Sequence, residues 1–559
     1  MVSATSDLVE CVPNVSEGRD PKVLEAIASA VRSVEGVRLI DIDAGADTHR
    51  TVFTFVGPPP ATLEAAFRLI ATAAERIDMR RHRGAHPRIG ATDVCPFVPL
   101  GQTRMEVCIE LARRLGERVG RELKIPVYLY EAAATRPQRG SLSDIRAGEY
   151  EGLKEKLRDP QWAPDFGPAE FNPRSGATVI GARPFLIAYN VNLNTRDRKL
   201  AHDIALTVRE SGRIQRDAAG KIVRDQNGQA LRGPGRLAAA RAVGWTIPEY
   251  GRAQVSLNLI DFGITALQVV FETVAEEAAE RGLRATGSEI VGLVPLEALL
   301  EAGRFYLRRQ GKSAAVTESE LIHVAVLSLG LGEVSRFEPR DKVIEYKLAA
   351  ERPLASGSVA AFVDALSSAD PTPGGGCAAA ASGAISAALA AMGAALAFAK
   401  SDAAKARGLE QLGERAQALK ARLLAAVDED ARAFDSVLAA RRLPKRSEVE
   451  QATRDQAIAG ANRAATLVPL AVLEAAGEVL DLLGPVLEAV PSSAISDLGV
   501  ALQLARAAAE GAALNVRINL PGLTDQSERE QLGGQVQRTL EAARQRFELL
   551  ESQLIQRFG

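Results

Sequence analysis

The segment RHRGAHPRIGATDVCPF, Arg81–Phe97, concentrates side chains that could do chemistry. It holds two of the chain's five histidines, His82 and His86, among Arg81, Arg83 and Arg88, and Asp93 follows. Gly84, Pro87 and Gly90 disfavour a helix, so the spacing predicts a shaped loop. On a helix, histidines four apart would suggest a metal pair. Without the helix, and without the glutamate of an H-E-x-x-H pattern, that meaning is lost and no metal is expected. Two readings remain open. In one, the imidazoles cap loop backbone. In the other, guanidinium forks hold a carboxylate-bearing ligand while an imidazole carries protons near neutral pH.

Three further clusters stand out. DIDAGADTHRTVFTF places Asp41, Asp43, Asp47, His49 and Arg50 in a hairpin-like connection between two strands. Acidic residues there are ordinary turn formers, yet Asp43, in phase with Asp41, could orient an imidazole. The segment from Trp162 to Phe185 is rich in Pro, Gly and aromatics; it reads as a surface connector or as a loop that binds a flat heterocycle. Late in the chain, PTPGGG (Pro371–Gly376) lacks the lysine of a phosphate loop but lets backbone approach a ligand at a helix start. VDEDARAF carries Asp428, Glu429 and Asp430; Val427 and Phe434 flank Asp430 at helical spacing, placing its carboxylate on an apolar stripe.

The elements that must position these groups fall into blocks. The chain has 559 residues, too many for one core of roughly 100–200 residues. Residues 1–180 alternate strand-like and helix-like runs, such as LVECVPN, VRLIDIDAG and RTVFTFVG beside DPKVLEAIASAVRSV. Residues 181–335 repeat the style, with a polar hairpin expected to turn at Asn227-Gly228. Residues 336–356 read as a linker, and 357–559 as an Ala- and Leu-rich all-α block. That block has no His, Tyr or Trp, so any proton transfer in it falls to carboxylates, lysine or water. A net charge of −2 gives no global basic field for nucleic acid or anionic lipid. Cys11, Cys95, Cys108 and Cys377 form no C-x-x-C pair, which favours a reducing compartment. The uncharged stretch Pro371–Ala399 imitates a membrane span, but its Ala, Gly and Ser side chains point to a closely packed buried helix.

Together, LVECVPNVSEGRD, DIDAGADTHRTVFTFVGPP, IDMRRHRGAHPRIGATDVCPF, IRAGEYEGL and WAPDFGP resemble the formiminotransferase half of the formimidoyltransferase-cyclodeaminase family. AFVDALSSADPTPGGGCAAA, VDEDARAF and RRLPK resemble its cyclodeaminase half, in the same order. The resemblance implies two α/β (α+β sandwich-like) formiminotransferase subdomains followed by an all-α helical cyclodeaminase domain. It implies formimino transfer from N-formimino-L-glutamate to tetrahydrofolate, or its polyglutamate, then cyclisation of 5-formimino-tetrahydrofolate to 5,10-methenyl-tetrahydrofolate with loss of ammonia. It also implies a cytoplasmic homo-oligomer built from dimers, with no metal, nucleic acid or membrane partner.

Carried over residue by residue, the transferase base falls on His86, its supporting carboxylate on Asp43 and the cyclodeaminase carboxylate on Asp430. The folate loop falls on Gly167, Pro168, Ala169, Glu170, Phe171, Asn172, Pro173, Arg174, Ser175 and Gly176. Arg83 and Arg88 become candidates for substrate carboxylates, and His82 for a wall of the site. Two departures are visible. The hairpin at 221–233 is an insertion, and Arg174-Ser175 stand where vertebrate forms carry an aromatic residue, leaving Phe166 and Phe171 to stack a pterin. The rival readings are a glutamate formyltransferase making 5-formyl-tetrahydrofolate and a non-catalytic folate-binding protein. A nucleotide-dependent ligase is disfavoured by the missing phosphate loop.

Overall fold

The computed structural model describes residues 8–46, 48–84, 86–101, 103–226, 228–247, 250–349 and 353–558. The chain forms two compact units. One runs through Ala302 and adds Val326–Leu348; the other joins Gly303–Ala325 to the residues from Ala349 onward.

In the first unit, β1 (Leu8–Cys11), β2 (Asn14–Val15), β3 (Arg38–Gly45), β4 (Arg50–Gly57), β5 (Thr92–Leu100), β6 (Val127–Glu131) and β7 (Thr178–Ala182) build one sheet. β3 and β4 form a hairpin, and β1 and β2 both lie antiparallel between β4 and β5. β7 pairs parallel with β5 and β6. Alternation sends Val9, Cys11, Phe53, Phe55, Cys95 and Phe97 to one face, where all are fully buried. They pack with the apolar stripes of α1 (Pro21–Arg32), α2 (Pro59–Arg76) and α3 (Met105–Arg118). Each buried Phe is worth roughly 1.5–3 kcal/mol over an exposed one. The Asp20 carboxylate starts α1 by accepting the Lys22 N–H at 2.9 Å, and Pro21 occupies the first turn. Two short helices, α4 (Leu142–Arg146) and α5 (Glu149–Lys156), lie between β6 and β7 in the chain.

A second, antiparallel sheet has the order β11-β8-β10-β9, from β8 (Ile187–Leu193), β9 (Ala240–Ile247), β10 (Arg252–Leu259) and β11 (Ala285–Val291). α6 (Arg198–Val208) and α7 (Leu267–Glu280) pack on it. The inserted segment forms two successive tight turns: the Asp217 carboxylate accepts the Ala219 and Lys221 N–H groups at 2.9 Å, and Asp225 accepts that of Gln229 at 2.8 Å. Asn227, the expected turn residue, lies outside the described residues. After α8 (Leu296–Arg309) and α9 (Glu318–Leu329), the stretch read as a linker carries α10 (Pro339–Lys342) and α11 (Ile344–Leu348). Its mixed charge hides Val343 and Ile344, both buried.

The second unit contains α12 (Val359–Leu366), α13 (Gly375–Phe398), α14 (Ala403–Arg441), α15 (Glu448–Ala489), α16 (Ile495–Asn519) and α17 (Gln526–Phe558). α13 is long and apolar enough to cross a membrane by length and composition. Here it packs against α14, α15 and α16, and its small residues set the spacing. A Cβ on Gly393 would lie 2.9 Å from Leu498 and Val486 carbons. α14 is a single helix, capped where the Asp402 carboxylate accepts the Ala404 and Lys405 N–H groups at 3.1 Å. The expected class, α/β followed by all-α, is borne out. All four cysteines are free and buried.

Candidate functional sites

β2 and β4 pair so that Asn14 meets Arg50, which lines the same recess as His82 and His86 of the loop after α2. Arg50 Nη1 donates to Asn14 Oδ1 at 2.8 Å and to His86 Nε2 at 3.0 Å. A guanidinium only donates, so Nε2 of His86 is the accepting nitrogen and the ring proton sits on Nδ1. Nδ1 is buried without a hydrogen-bond partner of good geometry. Burial first, then the charges of Arg50 and Arg146, push the His86 imidazole down to about 3. The ring is therefore held neutral. Arg146, on α4, is itself ion-paired with Asp93, whose other oxygen accepts the Ile89 N–H at 2.9 Å.

Behind His86 the other loop histidine is a brace. The rings of His49 and His82 stack with centroids 4.3 Å apart. Arg88 Nε donates to His82 Nδ1 at 3.2 Å, which leaves Nε2–H to donate to the His49 carbonyl at 2.9 Å. Burial, together with the charges of His49 and Arg88, lowers the His82 imidazole and suits it to this neutral, fixed role. His49 meets acceptors at both nitrogens, the Arg83 carbonyl at 3.0 Å and the Glu17 carboxylate at 3.1 Å. Burial raises the Glu17 carboxyl, but the N–H groups of Gly18, Arg19 and Asp20 outweigh it and hold the group below its ordinary value. Gly84 is required by this packing, since a Cβ there would sit 2.5 Å from the Thr48 carbonyl oxygen.

The two arginine candidates are otherwise engaged. Arg88 is buried and ion-paired with Glu149 at 2.8 Å and Glu151 at 2.7 Å, so it already has two carboxylate partners. Arg83 is exposed, and its Nη1 returns to the His82 carbonyl at 2.7 Å. Asp43 lies on β3 with an exposed side chain, and among the described residues no hydrogen bond joins it to His86. Its charge acts on Arg50 instead, so its link to the imidazole is indirect. Asp47 lies outside the described residues.

Residues 167–176 close beside this recess. Gly176 bridges to Gly90, and the Ser175 carbonyl accepts the Ala91 N–H at 2.8 Å. Arg174 serves structure: its Nε donates to the Ala74 carbonyl at 3.2 Å, at the C-terminal end of α2. Phe166 packs onto α3, where a Cβ on Gly116 would lie 2.9 Å from its ring. Phe171 tilts against Tyr150 with centroids 5.4 Å apart. Of the two aromatics expected to stack a pterin, Phe166 is thus turned to the core.

In the second unit, α14 carries Asp430 past the N-terminus of α13. The Cys377 thiol donates to Asp430 Oδ2 at 3.4 Å. Burial raises the Asp430 carboxyl, and the thiol and backbone N–H of Cys377 offset this only in part. The thiol itself is pushed up to about 12, by burial first and then by Asp430, so it stays a donor. Gly376 admits the carboxylate, because a Cβ there would lie 2.3–2.5 Å from its atoms. Thr372 Oγ1 donates to Asp435 at 3.2 Å nearby, and the Asn515 side chain lies 3.5 Å from the Cβ position of Gly375. Asp428 is spent on structure, accepting the Leu354 and Ala355 N–H groups at 3.0 and 3.1 Å. The apolar stripe is narrower than the spacing suggests: Val427 is buried, but Phe434 is 40% exposed.

Residues 8–183 match the formiminotransferase domain, N-terminal subdomain, and residues 188–349 the formiminotransferase domain. Residues 358–538 match the family described as formiminotransferase-cyclodeaminase. The formimidoyltransferase-cyclodeaminase of Rattus norvegicus is 42% identical over 550 residues, covering 96% of this chain and 97% of that protein. The glutamate formimidoyltransferase of Streptococcus pyogenes is 40% identical over 301 residues, 54% of this chain and 93% of its own. The crystal structure of formiminotetrahydrofolate cyclodeaminase from Thermotoga maritima is 24% identical, covers 36% of this chain and 96% of its own, and superposes with a TM-score of 0.32. The three family matches along both units, with 42% identity to the rat protein over nearly all of both chains, show that the chain belongs to the formimidoyltransferase-cyclodeaminase family.

Proposed function

We propose that the first unit transfers the formimino group of N-formimino-L-glutamate to tetrahydrofolate, and that the second closes the product to 5,10-methenyl-tetrahydrofolate with release of ammonia. The observation that carries this reading is the identity of about two residues in five along nearly the whole chain to proteins named for both activities. In the first step N5 of tetrahydrofolate attacks the protonated amidine carbon. A C–N bond forms, and the N5 proton passes to His86 Nε2. The intermediate then collapses, and His86 returns that proton to the departing glutamate nitrogen. A neutral imidazole is the form this step needs. Asp43 acts on it through Arg50, and the loop Gly167–Gly176 contacts the folate. In the second step N10 attacks the same carbon and a C–N bond forms; protonated Asp430 gives its proton to the leaving nitrogen as its C–N bond breaks and ammonia departs, and the Asp430 carboxylate takes up the N10 proton.

The purified protein, mixed with tetrahydrofolate and N-formimino-L-glutamate, should yield methenyl-tetrahydrofolate, followed by near-ultraviolet absorbance, and ammonia in equal amounts. Glutamate release without ammonia would sink the assignment of the second unit. No glutamate release would sink the first. We further place the chain in the cytoplasm, in keeping with its four free buried thiols, as a homo-oligomer built from dimers. An apolar line on α13, Ile385, Met392 and Leu396, is left exposed and supports self-association. Sedimentation of a monomer at micromolar concentration would exclude it.

A further inference from the structure

Arg50 is a half-buried guanidinium with no carboxylate partner among the described residues. Its two hydrogen bonds, to Asn14 Oδ1 and His86 Nε2, both leave from Nη1 and both go to neutral acceptors. The carboxylates in electrostatic range are Asp43 and Asp93. Asp93 is committed to Arg146, and Asp43 makes no bond to Arg50. Taking a cation out of water without a counter-ion is costly, so such a group is poised for an anion. Meanwhile Arg88, the better-buried arginine of the loop, is already neutralised by Glu149 and Glu151.

We propose that Arg50 is the receptor for a carboxylate of the formimino donor, and that pairing with it withdraws the guanidinium from His86 Nε2 and frees that nitrogen to take a proton. The inference rests on the formimino-transfer reading and deepens it. Without donor, Arg50 blocks the lone pair that the transfer step requires. With donor bound, the negative carboxylate both cancels the Arg50 charge and competes for Nη1. A charge-assisted bond to carboxylate is stronger than one to a neutral imidazole, so the exchange favours the complex. The other groups facing His86 do not undo it. Arg146 keeps its ion pair with Asp93 and acts on His86 alike before and after binding, and Asn14 remains a neutral acceptor with its own Nδ2 donated to the Val12 carbonyl at 3.0 Å. The base is thereby armed by its own substrate.

The test is calorimetric binding of N-formyl-L-glutamate, with no folate present, in buffers of differing ionisation enthalpy at pH 6.5. An imidazole freed of Arg50 rises toward its ordinary value of roughly 6.5 while burial still opposes it, so binding should take up a measurable fraction of a proton, at most about half. His86→Ala should bind without that uptake. Arg50→Gln should weaken binding roughly 10- to 100-fold, the span expected for a lost hydrogen bond to a charged group, and Arg50→Lys should restore part of it. A circular dichroism spectrum and a thermal unfolding midpoint matching wild type certify that each variant is folded. An Arg50→Gln variant with wild-type affinity overturns the receptor assignment, and wild-type binding without proton uptake overturns the release of His86. If the wild type still transfers formimino groups in either case, the functional reading survives and only this inference fails. A wild type that neither transfers nor binds the dicarboxylate overturns both.

Discussion

Gly376→Ala tests the cyclodeaminase site with one methyl group. The Cβ would be built 2.3 Å from Asp430 Oδ1, 2.4 Å from Oδ2 and 2.5 Å from Cγ. Ordinary contact begins near 3.4 Å, so the carboxylate must withdraw by about 1 Å, which for a catalytic group costs on the order of 100-fold in rate. The fold should not suffer. Gly376 lies in the first turn of α13, and alanine is the better helix former by up to roughly 1 kcal/mol. The neighbouring Gly375→Ala is the control, because its Cβ meets nothing closer than 3.5 Å. With 5-formimino-tetrahydrofolate supplied directly, ammonia release should fall about 100-fold in Gly376→Ala and stay near wild type in Gly375→Ala. Formimino transfer should be untouched in both. Cyclisation by Gly376→Ala within about threefold of wild type would refute the placement of Asp430 at the chemistry, since such a factor is under 1 kcal/mol.

Other consequences are equally direct. His86→Ala should lose roughly 10²- to 10⁴-fold in formimino transfer while still cyclising supplied 5-formimino-tetrahydrofolate, as separate activity assays would show. Asp430→Asn should do the reverse. Because the Asp430 carboxyl is raised, wild-type cyclisation should decline as pH climbs through that raised value and its proton is lost, and the residual rate of the Asn variant should lack this limb. Glu10, buried on β1, is pushed up to about 7 by burial, with Glu345 adding and Arg183 opposing. Its folded-state value exceeds the ordinary 4.5, so its contribution is most favourable below that and is lost as pH rises to about 7. The difference of 7 − 4.5 amounts to about 3 kcal/mol. Glu10→Gln should remove this slope and stabilise the first unit above pH 7 by about that much. Tryptophan fluorescence reads that unit selectively in denaturant, since both tryptophans, Trp162 and Trp245, lie in it.

The sequence was most legible where periodicity and punctuation agree. The strands around Val9, Phe53 and Phe55 alternate cleanly, and α1 announces itself with Asp20 and Pro21. The loop leading into β5 followed from Gly84 and Pro87, although the last residues of that segment, Thr92–Phe97, lie in the strand, and the raised carboxyl of Asp430 followed from its apolar neighbours. Partnerships were not legible, because they are made across long separations. Nothing near His86 in the chain says that Arg50, thirty-six positions earlier, donates to it. Arg88 looked free because Glu149 and Glu151, which neutralise it, sit more than sixty positions away. Nothing in the chain around Glu17 says that His49 meets its carboxylate. Arg139, fully buried and paired with Asp165, gave no local signal at all. The linker reading failed at Val343 and Ile344 because two buried residues within a charged stretch leave no periodicity to detect.

The two sites apply the same principle with opposite sign, and in the proposed reaction the chemistry asks for that. Formimino transfer must first remove a proton from the attacking nitrogen, so its catalyst has to begin unprotonated. His86 is desolvated and surrounded by Arg50 and Arg146, both of which disfavour an imidazolium. Ring closure must deliver a proton to departing ammonia, so its catalyst has to begin protonated. Asp430 is desolvated as well, but its immediate partner is the Cys377 thiol, a weak donor that cannot hold a carboxylate ionised as a guanidinium would. Burial alone would raise a carboxyl and lower an imidazole; the neighbouring charges decide whether each group is also locked there. At His86 the lock is Arg50, a side chain that an arriving carboxylate can draw away. Among the described residues no such cation pairs with Asp430, so burial's upward push on its carboxyl stands before any substrate arrives.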